Sequence, residues 1–322
     1  MIVQIASHES LSSRVDGGRF FTRPPFHLEA TARVLQRRPT NPVDVWEYDR
    51  YRRLFATANG LALVEVENRG TLDVPDVRYS IRGSDTSSGT KLAIGQIVRR
   101  ILGLDVDPSP LQRLAEIDPT LRDTALALRG MRPPRFAGLF EAFANVIPFQ
   151  QLSLDAGVAI VGRLVVRFGE NIELYDRRYY SFPTAQTIAD ARLDQLSSCG
   201  LSAKKAQTLR HLARLIASGE LSEDQIAGMS TSNALDTLVQ LPGIGPWSAG
   251  LVLLRGLGRC DMFPAGDVGA ARGLGALLRL GREVALDDVV ARFGDDRGYL
   301  YFSGLGSSLL AKDLIHAAPP EQ

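Results

Sequence analysis

Two runs with apolar residues at helical spacing, Asn233 to Gln240 and Ser248 to Gly256, are joined by the short segment Leu241-Pro242-Gly243-Ile244-Gly245-Pro246-Trp247, which constrains the chain most. It must be a tight turn between two helices. Gly243 and Gly245 are read as positions of positive φ where the backbone can approach a ligand closely. The turn ends at the N-terminus of the second helix, where free N–H groups and the positive end of the helix dipole favour an anion. A DNA phosphate fits that description. Taken alone, the segment is explained equally well as a helix–turn–helix connection punctuated by Gly and Pro. Leu238, Leu241 and Ile244 supply its apolar side, and Trp247 and Ser248 open the next helix.

Asp267 follows 22 residues after Gly245, in the irregular Pro/Gly stretch Asp261 to Arg272 that leads into an apolar helix. Its position suits an N-cap, since Asp is among the residues that satisfy orphan N–H groups at a helix start. Capping leaves room for chemistry, because a carboxylate has two oxygens. Asp261 is the competing carboxylate.

With hairpin, Trp247 and carboxylate in this order, the sequence resembles the helix-hairpin-helix (HhH-GPD) DNA glycosylase superfamily, specifically the 3-methyladenine DNA glycosylase II type. The resemblance covers most of the chain. It implies that Asp267 is the catalytic residue, that Asp261 is not, and that Gly243, Ile244, Gly245, Trp247 and Ser248 grip a phosphate of double-stranded DNA. It implies a base pocket at Trp247, Leu251 and Val268; the latter two stand where better-known relatives carry aromatics. Trp247 is read either as a core residue or as a wall that stacks on an extruded base, with cation–π attraction for a charged one. Near the C-terminus Asp296-Arg297 replaces the family's Trp-Arg pair, with Tyr299 and Tyr301 close by. The turn at Gln150 and Gln151 corresponds to the family's minor-groove wedge, which offsets part of the cost of unstacking a flipped nucleotide; the plain alternative is a capped loop between helices. Hairpins of this type in the family can hold a structural Na or K ion through backbone carbonyls, here those of Val239, Leu241 and Ile244.

The chemistry implied is hydrolysis of an N-glycosidic bond. Positive charge builds on the sugar as in glycoside hydrolysis, and a carboxylate in a water-poor site stabilises it; the same group can orient or deprotonate water. An alkylated base that is already cationic needs little acid assistance. Bifunctional relatives carry a nucleophilic Lys two residues after the second hairpin Gly. Trp247 occupies that position, so the resemblance implies a monofunctional enzyme that leaves an abasic site. The alternative is a non-catalytic damaged-DNA-binding protein with Asp267 only as a cap.

Composition sets the remaining bounds. With 322 residues, 45% of them hydrophobic, two or three domains with a sizeable core are expected. No signal-peptide pattern and no run of about 18 apolar residues is present, so a cytoplasmic location without membrane contact is expected. Cys199 and Cys260 are the only cysteines, too few for an iron–sulfur cluster, and His8, His27, His211 and His316 show no ligand spacing. A net charge of +1 requires a local basic patch for DNA. Candidates are Lys204, Lys205, Arg210, Arg255, Arg259 and Arg272; each is also explained as part of a solvated helix face. A monomer is expected.

The expected fold class is α+β. Residues 1–110 read as an antiparallel β-rich domain, with a helix at Phe26 to Gln36, strands at Val43 to Tyr48, Leu61 to Asn68 and Thr71 to Ile81, and a return to helix at Gly89 to Leu104. Residues 111–322, with the hairpin at 241–249, read as an all-α two-lobed bundle. Its expected helices are Phe140 to Ile147, Leu154 to Phe168, Thr187 to Ser198, Ala203 to Ser218, the two flanking the hairpin, and Val268 to Leu280.

Overall fold

The computed structural model describes residues 15–83, 87–280 and 285–319. Strand β1 (Val15–Phe20), helix α1 (Leu28–Gln36), strands β2 (Val45–Glu47), β3 (Arg50–Thr57), β4 (Gly60–Asn68) and β5 (Val77–Gly83), and helix α2 (Ser88–Ile101) come first. The strands form one sheet in the order β1-β5-β4-β3-β2, every neighbouring pair antiparallel. Alternation across each strand divides the side chains between two faces. Tyr51 and Phe55 of β3, Ala62, Val64 and Val66 of β4, and Val77 and Ile81 of β5 enter the main core; Leu54, Leu61 and Leu63 face the other way.

The expected antiparallel sheet is present, with β1 and β3 added to it. β3 escaped sequence reading because Arg50, Arg52 and Arg53 interrupt its apolar alternation, although Arg52 and Arg53 are both buried. The strand expected from Thr71 begins only at Val77. Asn68 Oδ1 accepts from the amides of Gly70 and Asp76, and Thr71 donates to the Val74 carbonyl, so local turn bonds win over the ladder.

Thereafter come α3 (Pro110–Ile117), α4 (Arg122–Ala127), α5 (Leu139–Ala144) and α6 (Leu154–Phe168), a hairpin of β6 (Asn171–Leu174) and β7 (Arg177–Tyr180), then α7 (Ala185–Asp190) and α8 (Leu193–Ser198). The last helices are α9 (Ala203–Ala217), α10 (Glu223–Ala227), α11 (Thr231–Val239), α12 (Pro246–Val252), α13 (Val268–Leu277), α14 (Leu286–Ala291) and α15 (Gly298–Leu310). The β6–β7 hairpin was not expected in the helical half. It sets Ile172 and Tyr179 on Leu54, Leu61 and Leu63, covering the sheet's second face. The helix expected over Thr187 to Ser198 is two helices, because Ala191 is extended at ψ 144 and the Arg192 amide is capped by Gln195.

Helix α6 shows why the pattern folds as it does. Gly157, Ile160, Val161, Leu164 and Val165 fall on its buried face at three- and four-residue spacing. Ser153, Ser202 and Ser230 cap α6, α9 and α11 by accepting amides of their first turns, each worth about 1 kcal/mol.

One core runs from Phe20 to Ile315, so both halves of the chain share it. A buried polar junction ties them as well: Arg53 on β3 donates to Asp44 at 2.9 Å and to Glu141 on α5, and Tyr51 Oη donates to Asp44 at 2.8 Å. Burial opposes the Arg53 charge, but the Glu141 and Asp44 carboxylates outweigh it and hold the guanidinium well above its ordinary pKa. α5 packs on α9 and α12, and α13 packs on α15. That arrangement brings the turn after α5, the start of α9, the α11–α12 hairpin and the start of α13 to one cleft.

Candidate active site

The hairpin closes through the Ile244 amide, which donates to the Leu241 carbonyl at 3.0 Å, while the Ile244 side chain is buried beneath it. Gly243 has φ +80, and a Cβ there would stand 2.3 Å from Thr208 Oγ1 on α9. Glycine is required at that position both by conformation and by space. Gly245 corrects the sequence reading. Its φ of −96 and ψ of 177 are extended, and a Cβ would meet nothing within 4 Å, so it is the N-cap of α12 on open surface. The first-turn amides of α12, Trp247 and Ser248 among them, have no partner in the helix.

Asp267 is the N-cap of α13 and half-buried. Its Oδ1 accepts from the Ala270 amide at 2.8 Å, and its Oδ2 accepts from Trp247 Nε1 at 3.1 Å. Each oxygen keeps a lone pair. Gly266, with φ +76, turns the chain just before it.

A cleft of about 660 Å³ lies between these parts. Gln150, Gln151, Gly243, Gly245, Trp247, Ser248, Asp267 and Val268 all line it. Trp247 packs against the core and also borders the cleft. Leu251 does not belong there. α12 is buried from Ser248 to Val252, so only its first turn reaches the cleft and Leu251 sits in the core at 5% exposure. Val268 is 70% exposed. Asp296 pairs with Arg113, and Tyr299 and Tyr301 are buried, so no second aromatic wall comes from that region.

Gln150 also differs from expectation. It turns inward, its Nε2 donating to the Gly243 carbonyl and to Ser248 Oγ, both at 2.9 Å. Gln151, at φ +57, and Leu152, 44% exposed, form the exposed tip of the turn at the cleft. Lys205 supports the turn, donating to the Pro148 carbonyl at 3.1 Å and the Gln150 carbonyl at 2.6 Å; partial burial lowers its pKa.

The expected basic patch is thinner than the sequence suggests. Arg255 is buried, its guanidinium 4.7 Å from the Phe136 ring centroid, and Arg259 donates to the Ala227 and Met229 carbonyls. With Lys205 also engaged, Lys204 on the cleft, exposed Arg272 and half-buried Arg210 are what remain of the candidates at the surface. At the hairpin, the Leu241 carbonyl keeps its second lone pair beside the bond from Ile244, and neutral carbonyl donors of this kind suit a monovalent ion. Among the described residues no trio of His, Cys, Asp or Glu side chains is close enough to hold a metal, and no helix is long and apolar enough to cross a membrane.

Sequence reading gave Lys205 only to a basic patch, and it missed Phe149, Leu152 and Thr208 at the cleft and the arginine that caps the end of the first helix. Arg37 donates to Tyr301 Oη at 2.8 Å and lies 5.4 Å from the Phe149 ring centroid. Burial raises the Tyr301 phenol's pKa; Arg37 lowers it and the Asp267 carboxylate raises it further, so this hydroxyl is within electrostatic reach of the candidate catalytic group. Only the Gly/Pro turn and its following Asp carry a local signal; these partners lie far apart in the chain.

The chain is similar to known proteins over both of its halves. Residues 144–288 match the model of the HhH-GPD superfamily base excision DNA repair protein, and residues 19–137 match the AlkA N-terminal domain. The chain is 33% identical over 187 residues to the DNA-3-methyladenine glycosylase of Bacillus subtilis (strain 168), a match covering 58% of this chain and 62% of that relative, under two thirds of its length. It is 26% identical to DNA-3-methyladenine glycosylase 2 of Escherichia coli (strain K12), over 76% of this chain and 82% of the relative. The solved 3-methyladenine DNA glycosylase from Archaeoglobus fulgidus superposes with a TM-score of 0.75 at 25% identity, covering 91% of this chain and 99% of that one. The chain belongs to the HhH-GPD superfamily of base excision DNA repair proteins and carries an AlkA-type N-terminal domain.

Proposed function

We propose that this protein is a monofunctional DNA glycosylase that excises alkylated bases from double-stranded DNA by base flipping and leaves an abasic site. The observation that carries the reading is Asp267, a helix-capping carboxylate held at a cleft between a phosphate-type hairpin and an exposed turn. The hairpin at Gly243 to Ser248 takes a backbone phosphate, Gln151 and Leu152 enter the duplex, and the extruded nucleotide rests beside Trp247 and Val268.

As the C1′–N bond breaks, its electron pair leaves with the base and positive charge grows on the sugar. Asp267 stabilises that charge. Water then adds to C1′, and its proton passes to solvent directly or by way of Asp267. A cationic alkylated base departs neutral, so no second acid is needed. Trp247 occupies the position of the nucleophilic Lys of strand-cutting relatives, and its indole N–H instead orients Asp267. One chain supplies every group, which supports action as a monomer. The named relatives support the choice of alkylated bases.

The test is incubation of methylated duplex DNA with the protein. Free 3-methyladenine or 7-methylguanine, with strand breaks appearing only after alkali, is the expected result. Tight binding to damaged duplex without release of any base would point to a non-catalytic binding protein, and breaks before alkali would refute the monofunctional assignment.

A further inference from the structure

The turn after α5 is built against its own preference. Gln150 has φ −52 and ψ 120, Gln151 has φ +57, and the Leu152 amide donates to the Phe149 carbonyl at 3.1 Å. That is a type II turn with Gln151 at the position where the positive φ calls for glycine. Such a residue persists only where its surroundings hold it. The surroundings here are two side chains. Lys205 pins the two carbonyls on the near side of the turn, and the Gln150 amide reaches across the cleft to the phosphate hairpin, at the Gly243 carbonyl and Ser248 Oγ.

The hairpin end of this link is equally constrained. Gly243 is the left-handed glycine wedged over Thr208, and Ser248 is buried in the first turn of α12 beside Trp247, whose indole bonds Asp267. A continuous set of hydrogen bonds therefore runs from Lys205 through Gln150 to the hairpin, and α12 and Trp247 carry it on to Asp267.

We infer that Gln150 is a positioning residue, a latch that sets the exposed tip of Gln151 and Leu152 relative to the phosphate hairpin and couples phosphate capture to filling of the gap in the duplex. The inference rests on the DNA reading above, without requiring catalysis. Gln150 is well suited to the task because its amide must donate to a carbonyl and a hydroxyl at once. Gln150→Glu keeps the shape and removes the donor, and sets a carboxylate against the Gly243 carbonyl.

The experiment uses the full chain and two duplexes, one intact and one carrying a tetrahydrofuran abasic analogue with 2-aminopurine opposite it. Wild type should prefer the abasic duplex and change the 2-aminopurine fluorescence as the tip enters. Gln150→Glu, whose added charge weakens binding of both duplexes, should in addition lose about tenfold of the abasic-over-intact preference, which corresponds to about 1.4 kcal/mol, and lose the fluorescence change. Lys205→Met, which removes a positive charge and so lowers binding of both duplexes, should likewise reduce the abasic-over-intact preference and the fluorescence change, and serves if the first variant does not fold. The latch is refuted if neither variant alters the fluorescence, if intact and abasic binding fall by the same factor so that the preference is unchanged, or if wild type shows no abasic preference. Absence of base release by a wild type that still passes this test would overturn the glycosylase reading and leave the latch standing.

Discussion

At Asp267 one side chain serves two structural partners and still faces the cleft. Oδ1 takes the Ala270 amide and Oδ2 takes the Trp247 indole, so its orientation is set from two directions before any substrate arrives. The sequence shows the carboxylate, since Asp at a helix start after a Gly/Pro stretch is a local pattern, but not its indole partner. Gln150 illustrates the limit more sharply. Its acceptors lie 93 and 98 residues away, and a pair of glutamines in a turn gives no sign of which one points inward. Gly243 was legible because a turn between helices demands a permissive backbone, whereas the Gly245 backbone is extended and its glycine reflects open surface. Gly243→Ala should therefore destabilise the fold by about 1–2 kcal/mol, the cost of a left-handed Cβ, and weaken duplex binding. Urea unfolding and a binding isotherm check this; an unchanged midpoint with full affinity would contradict the assigned role.

The elements were most legible where pattern is long. α6 was read end to end from its apolar spacing, whereas β6 and β7, four residues each, are too short to show a period. Helix α1 carries a cap that sequence rules do not favour. His27 Nδ1 accepts from the Ala30 amide while Nε2–H donates to the His316 carbonyl, which requires the neutral ring. Burial lowers its pKa below 6.5, and the His316 carbonyl and Glu29 only partly oppose this. The unfolded ring thus takes a proton more readily than the folded one. Its contribution to stability is present above about pH 6.5 and is lost as pH falls through the lower folded value. The exposed His316 works in the opposite sense, since Glu29 raises its pKa, so its contribution is present below about 6.5 and fades as pH rises past the raised value. Unfolding midpoints from pH 7 to 5 should fall for wild type and fall less for His27→Asn, which keeps a cap and cannot titrate; parallel curves would exclude this origin.

On the scale of the whole molecule, the sheet and the helical half act as one body because they share a core and the Asp44, Arg53 and Glu141 junction. The sequence displays these charges with no hint that residues 44, 53 and 141 meet, since partners of buried ions are set by tertiary packing. Arg53 is almost wholly buried, so Glu141→Ala leaves one of its two carboxylate bonds unmade and should cost about 3 kcal/mol, with α5 and the turn that follows it loosened; a loss under 1 kcal/mol would show that water enters the junction. The sheet, the helices and the hairpin then serve to hold one carboxylate at one cleft. The most direct test of that account is single-turnover release of 3-methyladenine from methylated duplex DNA by wild type and Asp267→Asn, with affinity for abasic duplex measured beside it. The account predicts that the variant binds within a few fold of wild type while its release rate falls at least about 100-fold, the scale of a lost electrostatic contact in a transition state. Release by Asp267→Asn at the wild-type rate would contradict it.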